Sequence, residues 1–100
     1  MSYACEIEAN IYRWTLIDFS IGEIVDLVRE PENPVDKKTI AIFRHGIRIG
    51  HVPKSVSRIL APYLDKGSRY ECRIVSVRGT GLHTVISIEI NPIKARRIAA

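Results

Sequence analysis

The chain has 100 residues, of which 46% are hydrophobic and 26% are charged. This length accommodates one folded domain and excludes a core with a separate catalytic lobe. We therefore predict a single domain over residues 1–100, with a core at about 3–90 and a basic tail or linker at 91–100. No apolar run approaches the ~18 residues that cross a bilayer, and no secretory signal is visible, so we expect no membrane partner. The expected setting is intracellular, which means the nucleus in a eukaryote or the cytoplasm in a bacterium.

The charge is distributed unevenly along the chain. The net charge is +4, but residues 1–36 carry two basic and eight acidic residues, whereas residues 37–100 carry thirteen basic and three acidic ones. Such an asymmetry favours an anionic partner, and nucleic acid is the commonest one. The alternative is a solvated surface on which the fold mixes the charges again, and charge alone does not decide between the two.

The first half of the chain predicts two strands. In the stretch 5–11, Cys5, Ile7, Ala9 and Ile11 alternate with polar residues, which is typical of a half-buried strand. The pattern then changes phase at Tyr12 and Trp14, as a β-bulge would cause. A second strand, 23–30, follows Gly22 and ends at the prolines of the next turn. Cys5 and Cys72 form no metal-spaced cluster, and we expect both to be reduced, strand-borne thiols.

Two hairpins complete the predicted sheet. The stretches 39–43 and 47–52 flank the turn residues His45-Gly46, and the stretches 70–77 and 83–90 flank a glycine-rich turn. Strands, one helix and further strands in so short a chain predict a mainly β fold. The expected architecture is a small OB/SH3-like curled barrel of about six strands with one main amphipathic helix.

The helix is predicted at about 53–66, between the hairpins. Pro53 suits its first turn, Pro62 should kink or shorten it, and Gly67 should end it. The expected exposed side carries Lys54, Ser57 and Arg58. The expected buried stripe has helical spacing and consists of Val56, Ile59, Leu60 and either Tyr63 or Leu64.

The sequence contains no motif of an enzyme family that depends on a nucleophile, a phosphate-binding loop or a zinc site. Glu30, Glu32 and Asp36 are close enough in sequence to share a metal ion, but a polar turn is the simpler interpretation. We therefore expect no catalysis and no cofactor.

Binding residues are more abundant. Asn33-Pro34 favours a turn, and Asp36 can accept hydrogen bonds from the backbone or from a ligand hydroxyl. Tyr12 and Trp14 offer faces on which unpaired bases can stack. Basic residues crowd the following segment, namely Lys37, Lys38, Arg44, Arg48, Lys54 and Arg58. Each feature also has a structural explanation. Trp14 can belong to the core, His51 can bind a carbonyl at the end of a strand, and Asp36 can accept the hydrogen bond of an Asx-type turn.

The stretch "LVREPENPVDKKTIAIF…GIRIGHVPKSVSRILAPYLDKG" resembles the HIRAN domain, which occurs alone in bacteria and fused to SNF2-type helicases. The resemblance covers about residues 3–90. It is strongest where a strand leads into R-[DE]-P-x-N-P-x-D-x-x-[AT]-[IV] and where G-[HY]-[VL]-P precedes the helix. The matching residues are Arg29, Glu30, Pro31, Asn33, Pro34, Asp36, Thr39, Ile40, Gly50, His51, Val52 and Pro53.

The resemblance implies a modified OB-like barrel that captures the free 3′ end of single-stranded DNA. It places Asp36 where an aspartate binds the terminal hydroxyl, and His51 and Lys54 where the last phosphates are contacted. Tyr12, Arg13 and Trp14 match a segment that stacks on the penultimate nucleotides, and Leu82 or His83 would add a second wall. In the DNA-binding members the residue before the aspartate is aromatic, whereas this chain has Val35, preceded at a short distance by Glu32.

The sequence thus predicts a non-enzymatic module that recognises a 3′-hydroxyl end of single-stranded DNA in repair or at stalled replication forks. Catalysis would belong to a fused or associated SNF2-type helicase or nuclease. The predicted contacts are Asp36, Val35, Asn33, His51, Lys54, Tyr12, Arg13 and Trp14, with Lys37, Lys38, Arg58 and His83 as possible additional ones. Two alternatives remain: a protein-interaction module that binds an acidic partner in the same groove, and a metal-dependent nuclease.

Overall fold

The computed structural model describes residues 2–9, 19–79 and 84–93. The elements in chain order are β1 (Tyr3–Ala9), β2 (Ile24–Arg29), β3 (Ile40–Arg44), β4 (Ile47–His51), α1 (Lys54–Asp65), β5 (Tyr70–Arg78) and β6 (Thr84–Pro92). The last strand continues two residues beyond the predicted end at residue 90. The predicted bulge at residues 11–12 lies outside the described residues, as does the predicted basic tail from residue 94 onwards.

The strands form one antiparallel sheet in the order β1-β6-β5-β2-β3-β4. Strand β2 changes its partner along its length: Ile24 and Val25 pair with β5, whereas the segment 26–29 pairs with β3. The sheet turns a corner there, and the two edge strands β1 and β4 approach each other. The result is a curled half-barrel with one helix, which confirms the predicted fold class.

The concave face of this sheet carries the core. Along β6 every second residue is an isoleucine, and Ile86, Ile88 and Ile90 are at most 1% exposed. The same alternation on β3 and β5 buries Ile40, Ile42, Cys72 and Ile74 against them. A period of two directs these side chains to one face, so the alternation read from the sequence corresponds to the observed core.

The hairpin between β3 and β4 turns at His45 and Gly46, as predicted. Both residues have positive φ, 51° and 78°. A two-residue hairpin turn of type I′ requires positive φ at both of its central positions. A bulge follows, because Ile42 pairs with Gly50 and Phe43 with Arg48, which leaves Ile49 as the extra residue on β4. Strand β4 thereby brings Arg48 and His51 to the end of the sheet where the helix begins.

The helix buries part of the predicted stripe and adds Ser57 and Ala61 to it. Ser57, Leu60 and Ala61 are buried, and Leu64 is partly buried, whereas Ile59 is 51% exposed. Of the expected stripe, Leu60 lies in the core and Val56 and Leu64 pack against it, whereas Ile59 and Tyr63 are exposed. The prediction that Ser57 lies on the exposed side was wrong, because its hydroxyl donates to the carbonyl of Lys54 at 3.4 Å and can be buried within the helix.

Both ends of α1 also differ in detail from the prediction. Pro53 is the N-cap residue, just before the first turn, and the helix continues three residues beyond Pro62. Its C-terminus is a Schellman motif, in which Gly67 N–H donates to the carbonyl of Leu64 and Ser68 N–H to that of Tyr63, both at 3.0 Å. Gly67 has a φ of +95°, which a glycine adopts at little cost, so it ends the helix as predicted.

The two cysteines are free and lie on strands β1 and β5, separated by β6. Burial, with a smaller contribution from Cys5, raises the pKa of the Cys72 thiol to about 12. Because the thiolate is the reactive form, Cys72 is inert at neutral pH. Among the described helices, none is long and apolar enough to cross a membrane.

The observed orientation of the helix predicts different effects for two neighbouring substitutions. Leu60→Ala removes a fully buried side chain and should lower the free energy of unfolding by about 2–5 kcal/mol. Ile59→Ala removes a half-exposed one and should change it by less than about 1 kcal/mol, since alanine also favours the helix. Urea denaturation of both variants tests this, and equal losses would contradict the observed helix orientation.

Candidate functional site

The loop 30–39, between β2 and β3, is closed by its last residue, Thr39, which binds the first residue of the loop. The Thr39 carbonyl accepts hydrogen bonds from Glu30 N–H at 3.0 Å and from the Arg29 guanidinium at 2.9 Å. Arg29 also binds both carboxylate oxygens of Asp65, at 2.8 and 3.1 Å. The loop is therefore held against β2, β3 and the end of α1, as in a compact Ω-type loop.

Asn33 shapes the interior of this loop. Its side-chain oxygen accepts from the backbone N–H of Val35 at 2.9 Å and of Asp36 at 3.4 Å, which makes an Asx-type turn. Its amide donates to Glu30 at 3.0 Å. Both ends of the amide are thus used by the loop, and Asn33 positions its neighbours even though it lines the cavity below.

Asp36 has one carboxylate oxygen in the loop and one outside it. Oδ1 accepts from the backbone N–H of Lys38 at 2.9 Å, and the Asp36 carbonyl accepts from Thr39 Oγ1 at 2.6 Å. Oδ2 makes no hydrogen bond with a described residue, and Lys54 Nζ lies 3.9 Å from it. The turn role and a ligand role are therefore compatible in one side chain.

A cavity of about 450 Å³ opens between the loop, the end of β4 and the start of α1. We call it the Asp36 cavity. Val35 stands at its rim, 88% exposed, and offers an apolar surface. Seven of its nine lining residues have a polar or charged side chain; the lining consists of Asn33, Val35, Asp36, Thr39, Arg48, His51, Val52, Lys54 and Ser57.

A second cavity of about 310 Å³ lies beside the first and shares Asp36 and Lys54 with it. Lys38 and Arg58 complete its lining, so three cations surround one carboxylate. We call it the basic cavity. The two cavities adjoin at the Asp36–Lys54 pair, which lines both of them.

Glu30 is held by an arginine. Arg48 binds both of its carboxylate oxygens, at 3.0 and 3.1 Å. These bonds hold the pKa of the Glu30 carboxyl below its ordinary value, with Asn33 adding to the effect and burial opposing it. Within the described residues no group of three possible ligands could hold a metal ion. Glu30 and Asp36 accept hydrogen bonds within the loop, from the Asn33 amide and from the Lys38 N–H.

Ion pairs across the fold neutralise part of the charge difference between the two parts of the sequence. Glu6 binds Arg78, Glu23 binds Arg44, and Glu30 binds Arg48, so acids of the first third meet bases of the later part. Lys37, Lys38 and Arg58 form no ion pair with a described residue. The positive charge that remains near the loop is therefore concentrated beside the Asp36 cavity.

The structure gathers most of the predicted contact residues. Asn33, Val35, Asp36, His51 and Lys54 line the Asp36 cavity, and Lys38 and Arg58 line the basic cavity. Lys37 is exposed and lines neither. The predictions for Tyr12, Arg13, Trp14 and His83 fall outside the described residues.

Four further residues of the Asp36 cavity were not predicted as contacts. Thr39 and Val52 were matched to the family motif but not assigned a contact, and Ser57 was expected on the exposed side of the helix. Arg48 was counted only in the basic segment, since alternation along β4 does not reveal that it reaches Glu30. The motif itself is the signal that could have identified Thr39 and Val52, and Arg48 and Ser57 lie within four residues of it.

The HIRAN domain model matches residues 2–91, and the chain therefore belongs to the HIRAN family. Membership in this family supports a DNA-binding module. The fold is similar to the crystal structure of the HIRAN domain of human HLTF, with a TM-score of 0.73 and 22% identity over 91% of this chain and 74% of that one. It is also similar to a Lactobacillus plantarum protein, with a TM-score of 0.62 and 16% identity over 93% and 98% of the two chains. No curated protein sequence matches the chain.

The Glu30–Arg48 pair predicts a dependence of stability on pH. A carboxyl whose pKa is lowered by folding stabilises the protein above its unfolded pKa, near 4.5, and this contribution is lost as the pH falls through the folded value. Glu30→Gln should therefore reduce the loss of unfolding free energy between pH 6 and pH 3. Urea denaturation across that range measures it.

Glu32→Gln is the matched control, because Glu32 is exposed and has no ion pair within the described residues. The Glu32→Gln variant should lose as much unfolding free energy between pH 6 and pH 3 as the unmodified protein does. If Glu30→Gln shows the same pH dependence as the control, the pair does not stabilise the loop.

Proposed function

We propose that this domain binds single-stranded DNA and holds a free 3′-hydroxyl end in the Asp36 cavity. One observation carries the proposal: Asp36, whose Oδ2 lacks a hydrogen-bond partner in the described chain, lines a cavity together with Lys54, His51 and the apolar Val35. A nucleotide end combines the same three features, since it has a hydroxyl donor, a phosphate and an apolar base face.

The carboxylate explains a preference for hydroxyl. An ionised carboxylate only accepts hydrogen bonds, so it can bind the 3′-hydroxyl but repels a phosphate in the same position. Lys54 Nζ, 3.9 Å from Asp36 Oδ2, is placed to meet the phosphate of the preceding linkage. A strand that continued beyond its 3′ oxygen would bring a second phosphate against Asp36.

The start of α1 adds to this anion site. The helix has no side-chain cap and no acidic residue in its first turn. The backbone N–H groups of Lys54 and Ser55, at its first two positions, precede the intrahelical bonds and can donate to an anion. His51 can donate from a ring nitrogen beside them.

The shape of the site favours a single strand over a duplex. The one described helix is 12 residues long and packs its buried stripe on the sheet, so it is not presented to a major groove. The Asp36 cavity instead takes one nucleotide, with Val35 beside the base. Tyr12, Arg13, Trp14 and His83 remain predicted stacking and phosphate contacts for the nucleotides that precede it.

Free 3′ ends arise in DNA repair and at stalled replication forks, and we place the module there. We also propose that any reaction on the DNA is carried out by a fused or associated SNF2-type helicase or nuclease. An acidic protein partner fits the Asp36 cavity less well, because its carboxylates meet Asp36 without a hydroxyl to donate.

The test is fluorescence anisotropy with a labelled single strand of about 10 nucleotides, within OB-fold site sizes. The 3′-hydroxyl form should bind more tightly than the 3′-phosphate form. Asp36→Asn should weaken binding of the hydroxyl form by roughly tenfold or more, as expected for a hydrogen bond to a charged group. The same change removes the repulsion, so the two forms should bind alike.

Asparagine retains an oxygen for the Lys38 N–H, so this variant preserves the loop turn. Glu89→Gln, which also removes one negative charge but from an exposed carboxylate that lines neither cavity, is the control for the change in net charge. Equal binding of both end forms to the unmodified protein would show a general basic groove without end recognition. Absence of binding at moderate salt would overturn the DNA function and favour the acidic protein partner, and cleavage on addition of Mg²⁺ would favour the nuclease.

Val35 offers a gain of affinity. The residue is 88% exposed at the cavity rim and contributes nothing to the core. Val35→Tyr should strengthen binding on the order of tenfold, since stacking of a base on an aromatic ring contributes about 1–3 kcal/mol. Its thermal unfolding should not change. Anisotropy with the 3′-hydroxyl strand measures the gain, and unchanged affinity would mean that the terminal base does not lie over position 35.

A further inference from the structure

We propose that the basic cavity is a second phosphate subsite, which takes an internal phosphodiester upstream of the terminal nucleotide. The inference rests on the proposed function, and it specifies the path of the strand from the Asp36 cavity across Lys54 to Lys38 and Arg58. The ligand is therefore an oligonucleotide held at two phosphates or more, rather than a single terminal nucleotide.

The composition of the cavity is the first argument. Lys38, Lys54 and Arg58 face one carboxylate, Asp36, which gives the lining a net positive charge. Asp36 is shared with the Asp36 cavity, and its Oδ1 is already occupied by the Lys38 N–H. Neither Lys38 nor Arg58 has an ion-pair partner within the described residues. The positive charge of this lining is therefore mostly uncompensated by the protein.

The placement of the cations on α1 is the second argument. Lys54 and Arg58 are four residues apart, so they lie on the same face of the helix, where like charges destabilise it. Lys54 is also the first helical residue, and a cation there opposes the helix dipole. Helix stability therefore favours neither residue at its position, whereas an anion bound between them would relieve both effects.

Continuity between the cavities is the third argument. Asp36 and Lys54 line both of them, and their charged atoms are 3.9 Å apart. A strand whose 3′-hydroxyl lies at Asp36 can pass its last phosphate to Lys54 and the next one to Lys38 and Arg58 without leaving the surface. The cations are exposed, which suits an extended polyanion better than an enclosed small anion.

The experiment compares single strands in which one phosphate is replaced by an uncharged methylphosphonate. The unmodified protein should lose about five- to tenfold in affinity when the second linkage from the 3′ end is neutral. The double variant Lys38→Ala/Arg58→Ala should bind the normal strand with a similar loss and show no further loss with the neutral linkage. Its plot of log affinity against log salt should be shallower by about 0.7 for the one phosphate contact removed.

The matched control is Lys66→Ala/Arg69→Ala, which removes two exposed cations at the opposite end of the helix. It should retain the sensitivity to the neutral linkage. Thermal unfolding of the free Lys38→Ala/Arg58→Ala variant should occur at or above the temperature of the unmodified protein, since a repulsion has been removed. A Lys38→Gln/Arg58→Gln variant provides the same test if the alanine variant unfolds.

The outcomes separate this inference from the proposed function. If the 3′-hydroxyl form is preferred but the double variant is as sensitive to the neutral linkage as the unmodified protein, the second subsite is wrong and end recognition stands. If the double variant behaves as expected but both end forms bind alike, the subsite stands and end recognition is wrong. If no strand binds at moderate salt, both are overturned.

Discussion

Arg29 joins the loop 30–39 to strand β3 and to the end of α1. Its guanidinium binds the Asp65 carboxylate at the end of α1 and the Thr39 carbonyl at the end of the loop, while its backbone pairs with Ile40 in β3. The side chain is only 16% exposed, so these bonds are partly shielded from water. Together with the buried side chains of α1, which pack the helix into the core, this arginine holds the end of the helix beside the end of the loop.

Much of the fold was readable from local patterns. Alternating hydrophobic residues identified β3, β5 and β6, and the His45-Gly46 turn identified the first hairpin, because both signals arise within a few residues. The helix stripe was predicted only in part, since Ser57 is a polar residue whose hydroxyl is satisfied inside the helix, while Ile59 is exposed. The change of partner along β2 was not predicted either. It depends on pairing with β5, more than forty residues away, which no local pattern records.

The sequence grouped four residues of the candidate site, but it could not show which hydrogen bonds and ion pairs each residue makes. Resemblance to HIRAN domains brought Asn33, Asp36, His51 and Lys54 together, and the structure places all four at one cavity. The sequence could not show that the Asn33 amide is consumed by the loop, or that only one oxygen of Asp36 is. Nor could it show which cations are neutralised, because Arg48 meets Glu30 through folding and Arg58 meets no acid in the described chain. Such distinctions depend on distances of a few ångströms.

The change of partner along β2 also divides the molecule mechanically. The loop, β3, β4 and the start of α1 lie on one side of the corner, whereas β1, β6 and β5 lie on the other. The backbone hydrogen bonds between the two sides run through the short segment 22–25. A load applied to β1 or β6 would therefore reach the Asp36 cavity through this narrow strip and the shared core. Because one hydrophobic core packs across the corner, the strip and the core carry such a load together.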